Sequence, residues 1–296
     1  MKKKIVPAVI VILLIIIAYS FKFVCSPNLT PEPDEKKVPI IYHDKYNIRL
    51  YGLQKLHPFD SEKYEKIYDY LIENTDLTES SFYTPEVIFR EELLKVHTAD
   101  YLDSLSESKV VAQIAEMGVL KILPRKSVDK HILVPMKLAT AGTIMGAELA
   151  LEKGWAINLS GGYHHAKANG GEGFCVYSDI ALAVKKLREI KLDIKVLYID
   201  LDAHQGNGVE AIFGEDKNVS IFDMYNMEVY PGDEAVKPFI DFDYPLKSYT
   251  EDKEYLEIVD ANILAAINSS TPDFIIYNAG SDIFEEDPLG SLSITI

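Results

Sequence analysis

Val196-Leu-Tyr-Ile-Asp200-Leu-Asp202-Ala-His204 decides how the rest of the chain is read. Its first four residues are an apolar run of the kind that forms a strand covered on both faces. The run breaks directly into Asp-x-Asp-x-His. A second run, Phe274 to Tyr277, breaks the same way into Asn278-Ala-Gly-Ser-Asp282. Asp202, His204 and Asp282 therefore offer two carboxylates and one imidazole from the ends of two strands. Three protein ligands with a fourth position open is the layout of catalytic rather than structural zinc. A third loop, Ser160-Gly-Gly-Tyr-His164-His165, adds two histidines as proton carriers. An Asp-x-Asp-x-His string alone is more often a solvated turn than a ligand set, but Asp282 and the histidine pair on matching strand ends reverse that weighting. Together the loops point to a metal-dependent hydrolase.

Outward from these loops, apolar runs alternate with helical patterns. The expected strands are Val38 to Tyr42, Trp155 to Leu159, Lys195 to Leu201, Asn218 to Phe222 and Asp273 to Asn278. The expected helices run from Ser61 to Glu73 behind an Asp60 cap, from Pro135 to Glu152 with a Lys153-Gly154 stop, from Ser178 to Ile190 and from Asp252 to Ser269, with two short helices between 90 and 107. This βαβ alternation predicts an α/β fold with a mostly parallel sheet flanked by helices. In such sheets the ligand site lies beyond the carboxyl ends of the strands, where all three loops begin. Each loop also carries glycine where backbone must turn sharply or approach a ligand.

The chain has 296 residues and a hydrophobic content of 48%, enough for one large core. Its 46 acidic against 30 basic residues leave a formal charge of −16, which argues against a nucleic-acid binder. Residues 1–25 form a separate object: Met1-Lys-Lys-Lys4, an apolar run from Ile5 to Phe21, then Lys22. About 17 apolar residues sit at the lower edge of what spans a bilayer. The segment fits an uncleaved anchor, or a signal cleaved after Ala18-Tyr19-Ser20, and fits a lipid-modified Cys25 poorly. Residues 26–37 read as a spacer and 38–296 as one catalytic domain. Two cysteines, Cys25 and Cys175, give no disulfide framework, and Cys175 is expected to be a buried structural thiol. His43 and His57 are expected near the site rim in packing roles, and His97 and His131 in structural ones.

From Ile40 onward the chain resembles the histone deacetylase superfamily and is most similar to its class IV branch. The resemblance rests on Gly52-Leu-Gln-Lys-Leu-His-Pro-Phe-Asp60, Val96-His-Thr98, Gly154-Trp-Ala-Ile-Asn158, Gly161-Gly-Tyr-His-His165 and Gly171-Glu-Gly-Phe-Cys175. It continues through Ile199-Asp-Leu-Asp-Ala-His-Gln-Gly-Asn-Gly208, Tyr230-Pro-Gly-Asp233 and Tyr277-Asn-Ala-Gly-Ser-Asp282. The order of these motifs makes them specific. They imply the three-layer arginase/deacetylase fold, with Asp202, His204 and Asp282 as zinc ligands and His164 and His165 as the tandem proton carriers. Asp200 is implied to orient the first histidine and Asn207 the second. Phe174, after Gly173, matches an aromatic wall of the acyl-lysine tunnel. The opposite wall is expected from the Tyr225 to Tyr230 loop and is assigned to Tyr225. A potassium ion is implied near Asp200, Asp202 and His204.

The implied activity is zinc-dependent hydrolysis of an acyl-lysine amide or a related acylated amine, with His165 as the main base and acid and His164 as its electrostatic partner. Family members continue through a further strand and a glycine-rich turn whose tyrosine binds the oxyanion, whereas this sequence stops at Ile296. None of the tyrosines present is assigned that role. The expectation is therefore a C-terminally truncated enzyme, exported or membrane-anchored with its catalytic domain outside the cytoplasm. The alternatives are a catalytically weak, membrane-tethered acyl-lysine-binding pseudoenzyme and an acetylpolyamine amidohydrolase. An arginase-like site would need ligands for two metals.

Overall fold

A computed structural model describes residues 38–295. The apolar segment expected at 1–25 and the spacer expected at 26–37 lie outside them. The strands are β1 (Ile40–Ile41), β2 (Phe82–Tyr83), β3 (Ile157–Asn158), β4 (Val196–Asp200), β5 (Val219–Asn226), β6 (Phe242–Leu246) and β7 (Phe274–Asn278). They form two sheets, ordered β2-β1-β3 and β6-β5-β4-β7, and every strand pairing is parallel. The flanking helices include α1 (Lys63–Asn74), α2 (Val134–Lys153), α3 (Asp179–Ile190), α4 (Asn207–Phe213) and α5 (Asp252–Ser270). The α/β class with its parallel sheet is as the sequence indicates.

Strand β4 explains the layering. Side chains alternate across a strand, so Val196 and Tyr198 join one core cluster with Ile180, Val184 and Leu187 of α3. Leu197 and Ile199 join the opposite cluster with Tyr255 and Ala266 of α5. All five β4 residues are buried, as an apolar run without alternation requires. The carboxyl ends of β4 and β7 are level, because Asp200 pairs with Asn278, and on its other side Asp200 pairs with Asp223 of β5. On the outer edge, Ile275 and Tyr277 of β7 are exposed.

Strands β2 and β6 are additional to the expected ones, and two expected elements differ in extent. Pro135 does not open the long helix: helical residues begin at Arg125 and run through a π-helical turn, Asp129–Leu133, into α2. The Val134 N–H bonds to the Asp129 carbonyl. Such a widened turn accommodates a proline that can neither donate nor tolerate the preceding carbonyl. Strand β5 extends past Phe222 through Asp223 to Asn226, and the acid that broke its apolar pattern is fully buried. The Asp223 carboxyl accepts the Gly206 N–H at 2.8 Å, so this side chain holds the loop after β4.

Candidate metal and proton-transfer site

The loop after β4 is folded by its own carboxylates. The Asp202 N–H donates to Asp200 Oδ1 at 3.1 Å, the His204 N–H to Asp202 Oδ1 at 2.9 Å, and the Ala203 N–H to Asp282 Oδ1 at 3.0 Å. These bonds tie the β7 loop to the β4 loop and bring Asp202, His204 and Asp282 together, with one ligand atom from each within 4.8 Å of the others. Gly280 is required by this approach. A Cβ there would lie 2.4 Å from Asp202 Cα and 2.6 Å from Asp202 Oδ2.

His204 Nδ1 lies 2.7 Å from Asp282 Oδ2 and 3.1 Å from Asp202 Oδ1. Burial opposes a charge on His204, but the hydrogen bonds to Asp202 and Asp282 overcome it and hold its proton up to about 10. Burial also opposes the Asp202 charge, and His164 and His204 overcome it, keeping that carboxyl well below its usual range. Burial and the Asp202 charge raise Asp282 to about 6. The trio thus attracts positive charge, and two carboxylates with one imidazole are a donor set that fits zinc.

The histidine loop follows β3 and is held from below by a residue the sequence reading missed. Asp179 Oδ2 accepts the Gly162 N–H at 2.9 Å and the Thr143 hydroxyl at 2.6 Å, while its Oδ1 accepts the Tyr163 N–H at 2.8 Å. The only sequence signal was its place at the start of α3, where an acid reads as a helix cap. His164 and His165 then stand with ring centroids 4.0 Å apart, both buried. His164 Nδ1 is 2.7 Å from Asp200 Oδ2, which also accepts the Tyr198 hydroxyl at 2.5 Å, and Asp200 Oδ1 accepts Asn278 Nδ2 at 2.9 Å. His165 Nδ1 is 2.8 Å from Asn207 Oδ1.

Those partners separate the two rings chemically. Burial works against protonating either. At His164 the Asp200 and Asp202 carboxylates overcome it and hold the proton up to about 9. At His165 burial is reinforced by the charge on His164, the neutral Asn207 cannot compensate, and the ring stays neutral. The site therefore pairs an imidazolium with a neutral imidazole at pH 7.

The rim is aromatic. Phe174 stacks on Phe59 at 5.5 Å and meets His57 edge-on at 4.5 Å, so His57 does pack at the rim as expected. Gly173 backs His165: its φ is +50°, and a Cβ would come within 2.4 Å of His165 Cδ2. The opposite wall needs a correction. Tyr225 lies on β5 with its ring in the core among Val196, Tyr198 and Ile221. Tyr230 is the aromatic that reaches the site, its ring 5.0 Å from His165. Four residues lie between the two, and no periodicity in them marked which would point inward. Cys175 is buried with its thiol pushed well up by burial, which makes it inert. His97 is structural, its Nε2 accepting the Ser178 N–H at 3.0 Å.

A model of the histone deacetylase domain matches residues 57–296. The chain is 43% identical over 260 residues to histone deacetylase 2 of Arabidopsis thaliana, covering 88% of this chain and 67% of that one. It is 30% identical over 271 residues to the acetoin utilization protein AcuC of Bacillus subtilis, covering 86% and 69%. The HD domain of HDA15 superposes with a TM-score of 0.70 at 20% identity over 87% of this chain and 78% of that one, a likeness of fold. With the domain model spanning most of the chain and a relative this close in sequence, the protein belongs to the histone deacetylase family.

Proposed function

We propose that the protein is a zinc-dependent deacylase that hydrolyses the amide of an acyl-lysine or a related acylated amine. The observation that carries this reading is the convergence of the Asp202, His204 and Asp282 ligand atoms beside one charged and one neutral histidine. Bound zinc supplies Lewis acidity, polarising a carbonyl and acidifying water. His165 accepts the proton of the attacking water at Nε2, because its Nδ1 is engaged by Asn207. Water oxygen adds to the acyl carbon, the carbon–nitrogen bond breaks, and His165 returns the proton to the departing amine. His164, anchored on Asp200, keeps its charge and stabilises negative charge that develops on the oxygens. Phe174, Phe59 and Tyr230 exclude water around an extended aliphatic stem. The class IV resemblance adds a preference for long acyl chains to the proposal. A structural potassium ion near Asp200, Asp202 and His204 belongs to the same proposal, as the family resemblance implies.

The test is release of acetate and longer acids from acylated lysine peptides by the purified chain. Turnover that a chelator abolishes, that zinc restores and that Asp202→Ala eliminates supports the reading. Stoichiometric zinc with peptide binding and no turnover overturns it in favour of a binding protein.

A further inference from the structure

The amide of Asn207 sets which nitrogen of His165 carries hydrogen, and that amide is itself held from outside the ligand set. Asn207 Nδ2 donates to Glu172 Oε1 at 2.7 Å while Asn207 Oδ1 faces His165 Nδ1 at 2.8 Å. Glu172 Oε1 is also 3.0 Å from Lys167 Nζ. Lys167 Nζ donates to Asp233 Oδ2 at 3.1 Å, and that oxygen lies 3.5 Å from the same Asn207 Nδ2. One side of the amide therefore faces two carboxylates, which accept and cannot donate when ionised. Turning the amide over would set its oxygen against both of them and its NH2 against His165 Nδ1. The ring would then have to accept at Nδ1 and carry its hydrogen at Nε2, the atom needed as the base.

We propose that Glu172, clamped by Lys167, is a positioning residue that fixes the Asn207 amide and through it the Nδ1–H tautomer of His165. Glu172 lies in the loop between the histidines and Cys175, where the Glu172 carbonyl accepts the Cys175 N–H at 2.8 Å. Its side chain is 39% exposed, so its replacement leaves the core intact. Asn207 is almost fully buried, so water does not substitute for a lost partner without rearrangement. A hydrogen bond to a charged group contributes about 1.5–3 kcal/mol, roughly a ten- to hundredfold bias between the two amide orientations.

The kinetic arm of the test rests on the deacylase reading; the spectroscopic arm does not. The full chain, in mild detergent and labelled with 15N-histidine, is compared with Glu172→Gln and Glu172→Asp by long-range proton–nitrogen spectra, His165 being assigned through His165→Gln. The wild type is expected to show the Nδ1–H tautomer alone. Glu172→Gln, whose amide can present either end, is expected to give a mixture with Nε2–H, and Glu172→Asp to restore the single form. With zinc, kcat of Glu172→Gln falls roughly tenfold at unchanged KM. Retention of the pure Nδ1–H form in Glu172→Gln overturns the proposal, as does retention in Glu172→Ala should the glutamine variant not fold. A wild type with the expected tautomer and no turnover sinks the deacylase reading and leaves the positioning role standing.

Discussion

Replacing Asp200 by asparagine removes one charge from the centre of the site while nearly preserving its shape. Asp200 is completely buried and receives His164, the Tyr198 hydroxyl, the Asn278 amide and the Asp202 N–H. Its carboxylate, with that of Asp202, holds the His164 proton up to about 9 against an ordinary 6.5. That difference corresponds to ~3 kcal/mol of stability supplied by the charged pair. The folded pKa lies above the unfolded one, so the contribution is fully present below 6.5 and is lost as pH rises through about 9. Losses from the Tyr198 and Asn278 bonds do not depend on pH over this interval. Urea unfolding of the metal-free wild type and Asp200→Asn, at several pH values between 6 and 10, separates the two parts. The destabilisation caused by the substitution is expected to be largest at pH 6 and to shrink toward pH 10 by up to ~3 kcal/mol, Asp202 supplying part of the shift. A destabilisation of equal size at every pH would refute the assignment of a protonated His164 to this carboxylate.

The other predictions concern chemistry and metal. His165→Ala is expected to lower kcat by roughly 10²–10⁴-fold while metal analysis still finds one zinc per chain; a variant with ordinary kcat would remove His165 as the base. The alkaline decline of turnover should begin at lower pH in Asp200→Asn than in the wild type, because the Asp200 carboxylate favours the His164 proton, as read from pH–rate profiles. Gly280→Ala forces a Cβ to within 2.4 Å of Asp202 Cα; overpacking of this kind costs about 1–3 kcal/mol, and displaced Asp202 should show as zinc lost during gel filtration in wild-type buffer.

The convergence of Asp202, His204 and Asp282 beside both histidines was legible because each follows an apolar run, and strand ends that pair in register must deliver their next residues to one place. Asp200 opposite Asn278 is that register. What supports the trio was less legible. Tyr198 sits inside the run and reads as core, although its hydroxyl bonds to Asp200 Oδ2. Asp179 reads as a cap and instead carries two backbone N–H groups of the histidine loop. Strand β6 was missed because Pro245 interrupts it, and proline is tolerated there only because β6 is an edge. Tyr225 was misassigned because it and Tyr230 are chemically alike, and the choice between them depends on where β5 ends, which a buried acid in mid-strand obscured.

The neutral partner of the second histidine follows from charge closure. Asp200, Asp202 and Asp282 are the three carboxylates of the site, burial and the Asp200 charge pushing the neighbouring Asp223 and Glu210 carboxyls up toward the neutral form, and an unpaired buried charge is too costly to persist. An imidazolium at His164 offsets one of them, and a divalent metal would offset the other two. Nothing then remains to balance another charge. An aspartate at position 207 would draw a proton onto His165 and convert the proposed base into a second imidazolium, whereas the amide orients the ring and adds no charge. Around that amide Lys167 offsets one charge of two, lying 3.0 Å from Glu172 and 3.1 Å from Asp233, and both of those acids reach solvent. Two adjacent, identical side chains thus acquire opposite roles because one leans on a carboxylate at a strand end and the other on an amide at the first turn of α4.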